Sequence, residues 1–170
     1  MKAKLSFSML FLGLSTLIAA DHLLSEKSLS RVRKEVRHEL VTLPYYGVFD
    51  NLAYRVAPDG TVTLVGQVTR PSLKTDAERV AKDIEGVKKI VNELEVLPLS
   101  TSDDQLRMAL FRAIYSSEGL NRYALQAVPS IHILVKNGDV ALEGVAATEA
   151  DKNLAGIQAN TVPGVFSVKT

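Results

Sequence analysis

The chain has 170 residues, 20 of them Lys or Arg and 19 Asp or Glu, for a formal net charge of +1. That balance supplies no overall basic field to attract nucleic acid or an anionic membrane. It contains no cysteine, which excludes disulfides, thiolate chemistry and an N-terminal lipid-modified cysteine; the length suits one domain or two small ones.

Residues 1–20 differ from the rest. Lys2 and Lys4 precede the uncharged run Leu5–Ile18, and Ala19-Ala20 supply small residues before Asp21. This is the order of a secretory signal peptide, and the apolar run is short for a membrane span. Export from the cytoplasm, with removal of about twenty residues, is the expectation.

A polar linker follows, and from Ser28 the period becomes helical. Leu29, Val32, Val36, Leu40 and Leu43 form one stripe, while Arg31, Arg33, Lys34 and Arg37 lie off it. Those cations read as a solvated face, or as a basic face for anionic headgroups. Pro44 and Gly47 end the helix. Tyr45-Tyr46 reads as a loop plugging the core or as an interfacial aromatic pair. Leu52, Tyr54 and Val56 alternate as a first strand, and Pro58-Asp59-Gly60 turns it into a second over Thr61–Val68. Pro71 and Ser72 open a helix with Leu73, Ala77, Val80, Ala81 and Ile84 inward, and Gly86 is its stop. A third strand is predicted from about Val87 to Val96. Pro98–Ser102 then links to a second unit beginning near Asp103.

The helix predicted from Asp103 to Ser117 is apolar on two sides. Leu106, Leu110, Ala113 and Ile114 share one face; Met108, Phe111 and Tyr115 share nearly the opposite one, with Arg107 and Arg112 between. Its own core cannot use both faces, so the first unit, another protein or a lipid surface should cover the second. Met108, Phe111, Tyr115, Arg107 and Arg112 are therefore the candidate binding residues. The loop Glu118–Val128 adds Leu120, Arg122, Tyr123 and Leu125 nearby. Ile131, Ile133 and Val135 form a strand that turns His132 the other way, Asn137-Gly138 makes a hairpin, Ala150, Leu154 and Ile157 mark the last helix, and Pro163-Gly164 stops it.

The two halves repeat. Asp59-Gly60-Thr61-Val62-Thr63-Leu64-Val65-Gly66-Gln67-Val68 returns as Asn137-Gly138-Asp139-Val140-Ala141-Leu142-Glu143-Gly144-Val145-Ala146, 78 residues on. Gly86-Val87 corresponds to Gly164-Val165 at the same offset. Gly60, Gly66, Gly86, Gly138, Gly144 and Gly164 are read as structural. Gly66 and Gly144 stand at apolar-phase strand positions, where a glycine is expected to mark a bulge or the close approach of a helix, and a side chain to push against that helix. So long a period indicates two copies of one small domain.

The ordered pattern D-G-x-V-x-L-x-G-x-V, a helix, then G-V-x-x-(I/V)-x-N-x-L-x-V resembles the BON domain. The first copy carries it through Asn92, Leu94 and Val96; the second matches from Asn137 to Val168, with Thr170 at the place of Asn92. Either the third strand of the second copy is short or the sequence is a fragment. The resemblance implies an α+β fold: two tandem α-β-β-α-β domains, at 28–97 and 103–170, each a three-stranded mixed sheet with two helices on one face. It also implies a non-enzymatic protein of the bacterial envelope, periplasmic or otherwise exported, whose partner is an anionic phospholipid surface or an envelope protein.

Catalytic signatures are lacking. His22, His38 and His132 match no metal-site spacing, and there is no nucleophile elbow, P-loop or dinucleotide fingerprint. Asp76, Glu78, Asp83, Glu85, Asp103 and Asp104 read as helix-start and surface charges. No cofactor, metal or nucleic acid is expected. The functional alternatives are lipid-surface binding and protein–protein interaction.

Overall fold

A computed structural model describes residues 23–170; the expected signal segment and His22 lie outside them. Helix α1 (Glu26–Val41) starts two residues before Ser28 because Ser25 caps it, its hydroxyl accepting the Ser28 N–H at 3.2 Å. Its stripe Leu29, Val32, Val36 and Leu40 is buried. Strands β1 (Asn51–Val56) and β2 (Thr61–Val68) pair antiparallel, with Tyr54 opposite Leu64. Helix α2 (Pro71–Lys82) carries a proline in its first turn, where the missing N–H costs nothing. It then crosses over to the parallel strand β3 (Lys89–Asn92).

The predicted third strand is interrupted. Asn92 accepts the Leu94 N–H at 3.2 Å through its side chain, whose amide donates to Lys74 O and to Glu78. This local turn drives Leu94 into the core, and pairing with β2 resumes as β4 (Glu95–Val96).

The second unit repeats the order with α3 (Thr101–Tyr115), β5 (Ile131–Lys136), β6 (Asp139–Gly144), α4 (Glu149–Asn160) and β7 (Ser167–Lys169). Its sheet runs β5-β6-β7, antiparallel then parallel. Residues expected to be linker join α3 because Ser100 caps it, accepting the Asp103 N–H at 3.2 Å. In both units the helix pair lies against one sheet face, and a separate apolar core fills each layer.

Gly66 and Gly144 are required for a reason other than the expected one. Both have positive φ, +123° and +134°, and a Cβ would come within 2.1 Å of Asn51 O and 2.0 Å of Ser130 O. The close neighbour is a carbonyl of the paired strand or of the residue just before it, and no helix is among the nearest atoms; the ladders keep an unbroken register at both glycines, so neither marks an inserted residue, and the close approach leaves no room for a side chain. The hairpins also differ. Asn137 and Gly138 both have positive φ, the two-residue turn that strand twist favours, whereas in Pro58-Asp59-Gly60 only Gly60 does.

Candidate surface-binding site at the junction of the units

The two apolar faces of α3 meet different fates. Leu106, Leu110 and Ile114 are buried in the second core. Arg107, 78 residues after the buried Leu29, occupies the corresponding helix position and is only 4% exposed. Its guanidinium donates to Val135 O at 2.7 Å and to Asp104 at 2.5 Å. The side chain thus fixes α3 to β5 and does not flank an open surface. Tyr115, 6% exposed, donates its hydroxyl to Ile131 O, and burial pushes its pKa up. Both residues serve the interior.

Phe111 is half-buried against the same core. Its ring centroid lies 4.9 Å from Tyr115 and 6.3 Å from Phe49, edge-on to the latter. Phe49 belongs to the loop between α1 and β1, so the first unit covers much of the second face of α3. Substituting a charge for Phe111 would disturb this packing rather than probe a surface. Of the five candidates, Met108 (44% exposed) and Arg112 remain at the surface. They lie one turn apart, on the ridge that Asp104 begins.

Further residues extend that ridge. Leu99, in the linker, is 96% exposed, and Tyr45 is 72% exposed. Arg70 lies with its guanidinium carbon 4.9 Å from the centre of the Tyr45 ring. Phe49, Arg70, Leu97, Leu99 and Asp104 line one groove of about 400 Å³, with the largely buried Arg107 at its floor. Tyr45 also has a φ of +68°, an uncommon conformation for a bulky residue. Leu99, Arg70 and Phe49 were not singled out from sequence. An apolar residue in an otherwise polar linker was the available signal for Leu99.

Beneath this surface the units are joined by a seam. Ile133 N–H donates to Val48 O at 2.8 Å, and Lys136 pairs with Glu95 at 2.5 Å. Tyr46 packs half-buried and stacks on His132, with centroids 5.6 Å apart. Its neighbour Tyr45 points outward, so only Tyr46 of the pair packs inward. Burial holds the His132 imidazole below its ordinary pKa of 6.5 and raises that of Tyr46. Asp50, also buried, accepts from Thr69 N–H at 2.7 Å and Oγ1 at 2.8 Å and from Gly47 N–H at 3.2 Å, pinning the loop that carries Val48 and Phe49. Leu120 and Tyr123 enter the second core, while Arg122 pairs with Asp151 and Leu125 is exposed. The cations of α1 lie on its exposed side, Arg31 pairing with Glu85 and Glu35.

Among the described residues, no group of three or more His, Asp or Glu side chains could hold a metal, and no helix is long and apolar enough to cross a membrane. Comparison with known proteins finds an outer membrane lipoprotein among the relatives. Outer membrane lipoprotein DolP of Haemophilus influenzae is 29% identical over 113 residues, 66% of this chain and 58% of that protein, so the match spans little more than half of the relative's length. Two structures of CdsD, a structural protein of the type III secretion system of Chlamydia trachomatis, align over 81% and 82% of this chain and 93% and 90% of theirs. Their identities are 14% and 13% and their TM-scores 0.32 and 0.31, a likeness too low to carry function or arrangement. The model of the BON domain family matches residues 28–98 and again 102–170. The envelope location expected from the sequence is the one this family and the lipoprotein relative support. With both units matched along nearly their whole length, the chain belongs to the BON domain family, as a tandem pair of its domains.

Proposed function

We propose that this chain is a non-catalytic envelope protein that adsorbs to anionic phospholipid surfaces through the junction ridge. The binding residues are Tyr45, Leu99 and Met108 as apolar contacts, with Arg70 and Arg112 beside them. The observation that carries this reading is the concentration of exposed apolar side chains and unburied arginines where the units meet. Water-exposed apolar surface is unfavourable by ~25 cal/mol per Å², and each cation near an anionic membrane contributes about 1 kcal/mol. The two terms act together when a bilayer receives the ridge. Tyr45 supports the same reading, since a strained, outward-pointing aromatic residue suits an interfacial contact. The envelope character of the DolP relative is consistent with it.

Co-sedimentation with phosphatidylglycerol vesicles and with phosphatidylcholine vesicles, at low and high salt, tests it. Binding to the anionic vesicles that weakens with salt and falls at least tenfold in Leu99→Asp/Met108→Asp, with circular dichroism unchanged, is expected. Undiminished binding by that folded variant would move the site off the ridge. An absence of binding to either vesicle would favour a protein partner.

A further inference from the structure

Strands β1 and β5 each form one edge of their sheet, pairing on one side only among the described residues. The far side of β5 is closed by groups of this chain. Tyr115 Oη donates to Ile131 O, Ile133 N–H to Val48 O at 2.8 Å, and Arg107 to Val135 O at 2.7 Å. Register makes Tyr54 the counterpart of Ile133, since Tyr54 stands opposite Leu64 and Ile133 opposite Leu142, 78 residues on. Val56 likewise corresponds to Val135. On β1 the closure is missing. The helix positions of Arg107 and Tyr115 are held by Leu29, which is buried, and Arg37, which is exposed. The bond from Ala57 N–H to Thr61 O, 2.8 Å, sets the alternation along the first hairpin. Tyr54 and Val56 therefore turn their N–H and C=O groups away from β2, and these groups bond no described residue.

This open edge is flanked by cations. Tyr54 Oη donates to Arg33 O at 2.8 Å, which brings α1 alongside β1. Arg33 and Arg37 stand one turn apart on the flank of α1 opposite Glu35 and Glu39, which line the cleft toward α2. Lys34 adjoins them, and Arg55 projects from β1 itself. All four cations are exposed, and none pairs with a carboxylate among the described residues.

We propose that the edge of β1 binds an extended acidic segment of a partner polypeptide as a further strand. Main-chain bonds to Tyr54 and Val56 supply affinity, and the cations select the side chains. A strand edge presents donors and acceptors in alternation, which a peptide backbone matches and a lipid headgroup does not. Alternate residues of a strand lie about 6.8 Å apart, and residues four apart on a helix about 6 Å. Two acids separated by one residue thus match Arg33 and Arg37. The same cations disfavour pairing with the β1 edge of a second copy, because charge on an edge strand repels its like.

The probe is a blocked, fluorescently labelled peptide, Thr-Glu-Val-Glu-Thr, titrated into the full chain. It is compared with the peptide bearing Gln for both Glu and with a fully N-methylated form. Saturable binding is expected, at least tenfold weaker for the Gln peptide and lost on N-methylation. NMR shifts and slowed amide exchange should appear at Tyr54 and Val56. Arg33→Gln/Arg37→Gln should weaken binding severalfold with circular dichroism unchanged, since both side chains are exposed. The proposal is overturned by an absence of binding at millimolar peptide, by equal binding of the Gln peptide, by retained binding after N-methylation, or by shifts confined to other elements. Amides of Tyr54 and Val56 already as protected as that of Ile133 in the protein alone would also overturn it, by showing the edge closed. Shifts at Arg33 and Arg37 with phosphatidylglycerol vesicles, and none with peptide, would assign the cations to lipid instead. The peptide readouts are independent of the ridge at the junction.

Discussion

The first and second units use the same topology with different fastenings, and the difference locates the functional bias. Helix α1 has one apolar stripe and an exposed charged face; Tyr54 Oη donates to Arg33 O at 2.8 Å, and just before the helix Leu24 N–H donates to Pro58 O at 2.7 Å, so neutral groups tie it to its hairpin. Helix α3 is held harder. Asp103 accepts from Asn137 N–H at 2.9 Å and Gly138 N–H at 3.0 Å, and Arg107 fixes the next turn to β5. The first unit then lays Phe49 against it. Anchored along its inner side and partly roofed by the neighbour, α3 keeps a narrow outer ridge at Met108 and Arg112. A shared fold thus becomes asymmetric by substitution at a few helix positions, Leu29 against Arg107 being the clearest.

The strongest test of the shared part is the positive-φ strand glycine. Gly66→Ala and Gly144→Ala should each destabilise their unit by ~2–5 kcal/mol, adding a positive-φ penalty of ~1–2 kcal/mol to an overpacking cost of ~1–3 kcal/mol. Urea unfolding reads it. A small shift at either position would mean that the two close approaches are not equivalent.

The unlike fastenings should respond unequally. Asp103→Ala leaves two backbone N–H groups without their charged acceptor and should cost about 2–3 kcal/mol, whereas Ser25→Ala removes only a helix cap and should cost about 1 kcal/mol. Equal losses would contradict the firmer hold on α3.

The smallest effect concerns pH at the seam. His132 is nearly buried against Tyr46, with the backbone of Gly47 and the carboxylate of Asp50 facing it. Its folded pKa lies below 6.5, so the unfolded chain takes up the proton first. Stability is therefore unaffected by this group above about pH 6.5 and declines as pH falls from there toward the folded value. The urea midpoint should drop more between pH 7.5 and 5.5 in the wild type than in His132→Phe, which keeps a ring against Tyr46. Equal drops would assign the pH dependence to other groups.

Much of this architecture was legible because it rests on periodicity and turn chemistry. The repeat, the helix stripes, the turn of His132 away from Ile131 and Ile133, and the special glycines all come from local pattern. The cause of the glycine requirement was not legible, because a carbonyl of the neighbouring strand leaves no trace in the spacing. Nor was the sorting of the second face of α3. Met108, Phe111 and Tyr115 look alike on a helical wheel, and only the approach of Phe49 and the reach of Tyr115 to Ile131 O separate exterior from interior. Arg107 misled for a related reason: a cation at a helix border normally reads as solvated, and its burial depends on a free carbonyl on β5.

The central claim is that the ridge at the junction meets the membrane, and the absence of cysteine allows a direct measurement. A single cysteine is placed at Met108, Leu99, Leu125 or Ile157, all apolar and exposed but on different parts of the surface, and labelled with an environment-sensitive fluorophore. On adding phosphatidylglycerol vesicles, labels at 108 and 99 should shift to the blue and become shielded from an aqueous quencher, while labels at 125 and 157 should not. Blue shifts at 125 or 157 with none at 108 and 99 would contradict the account.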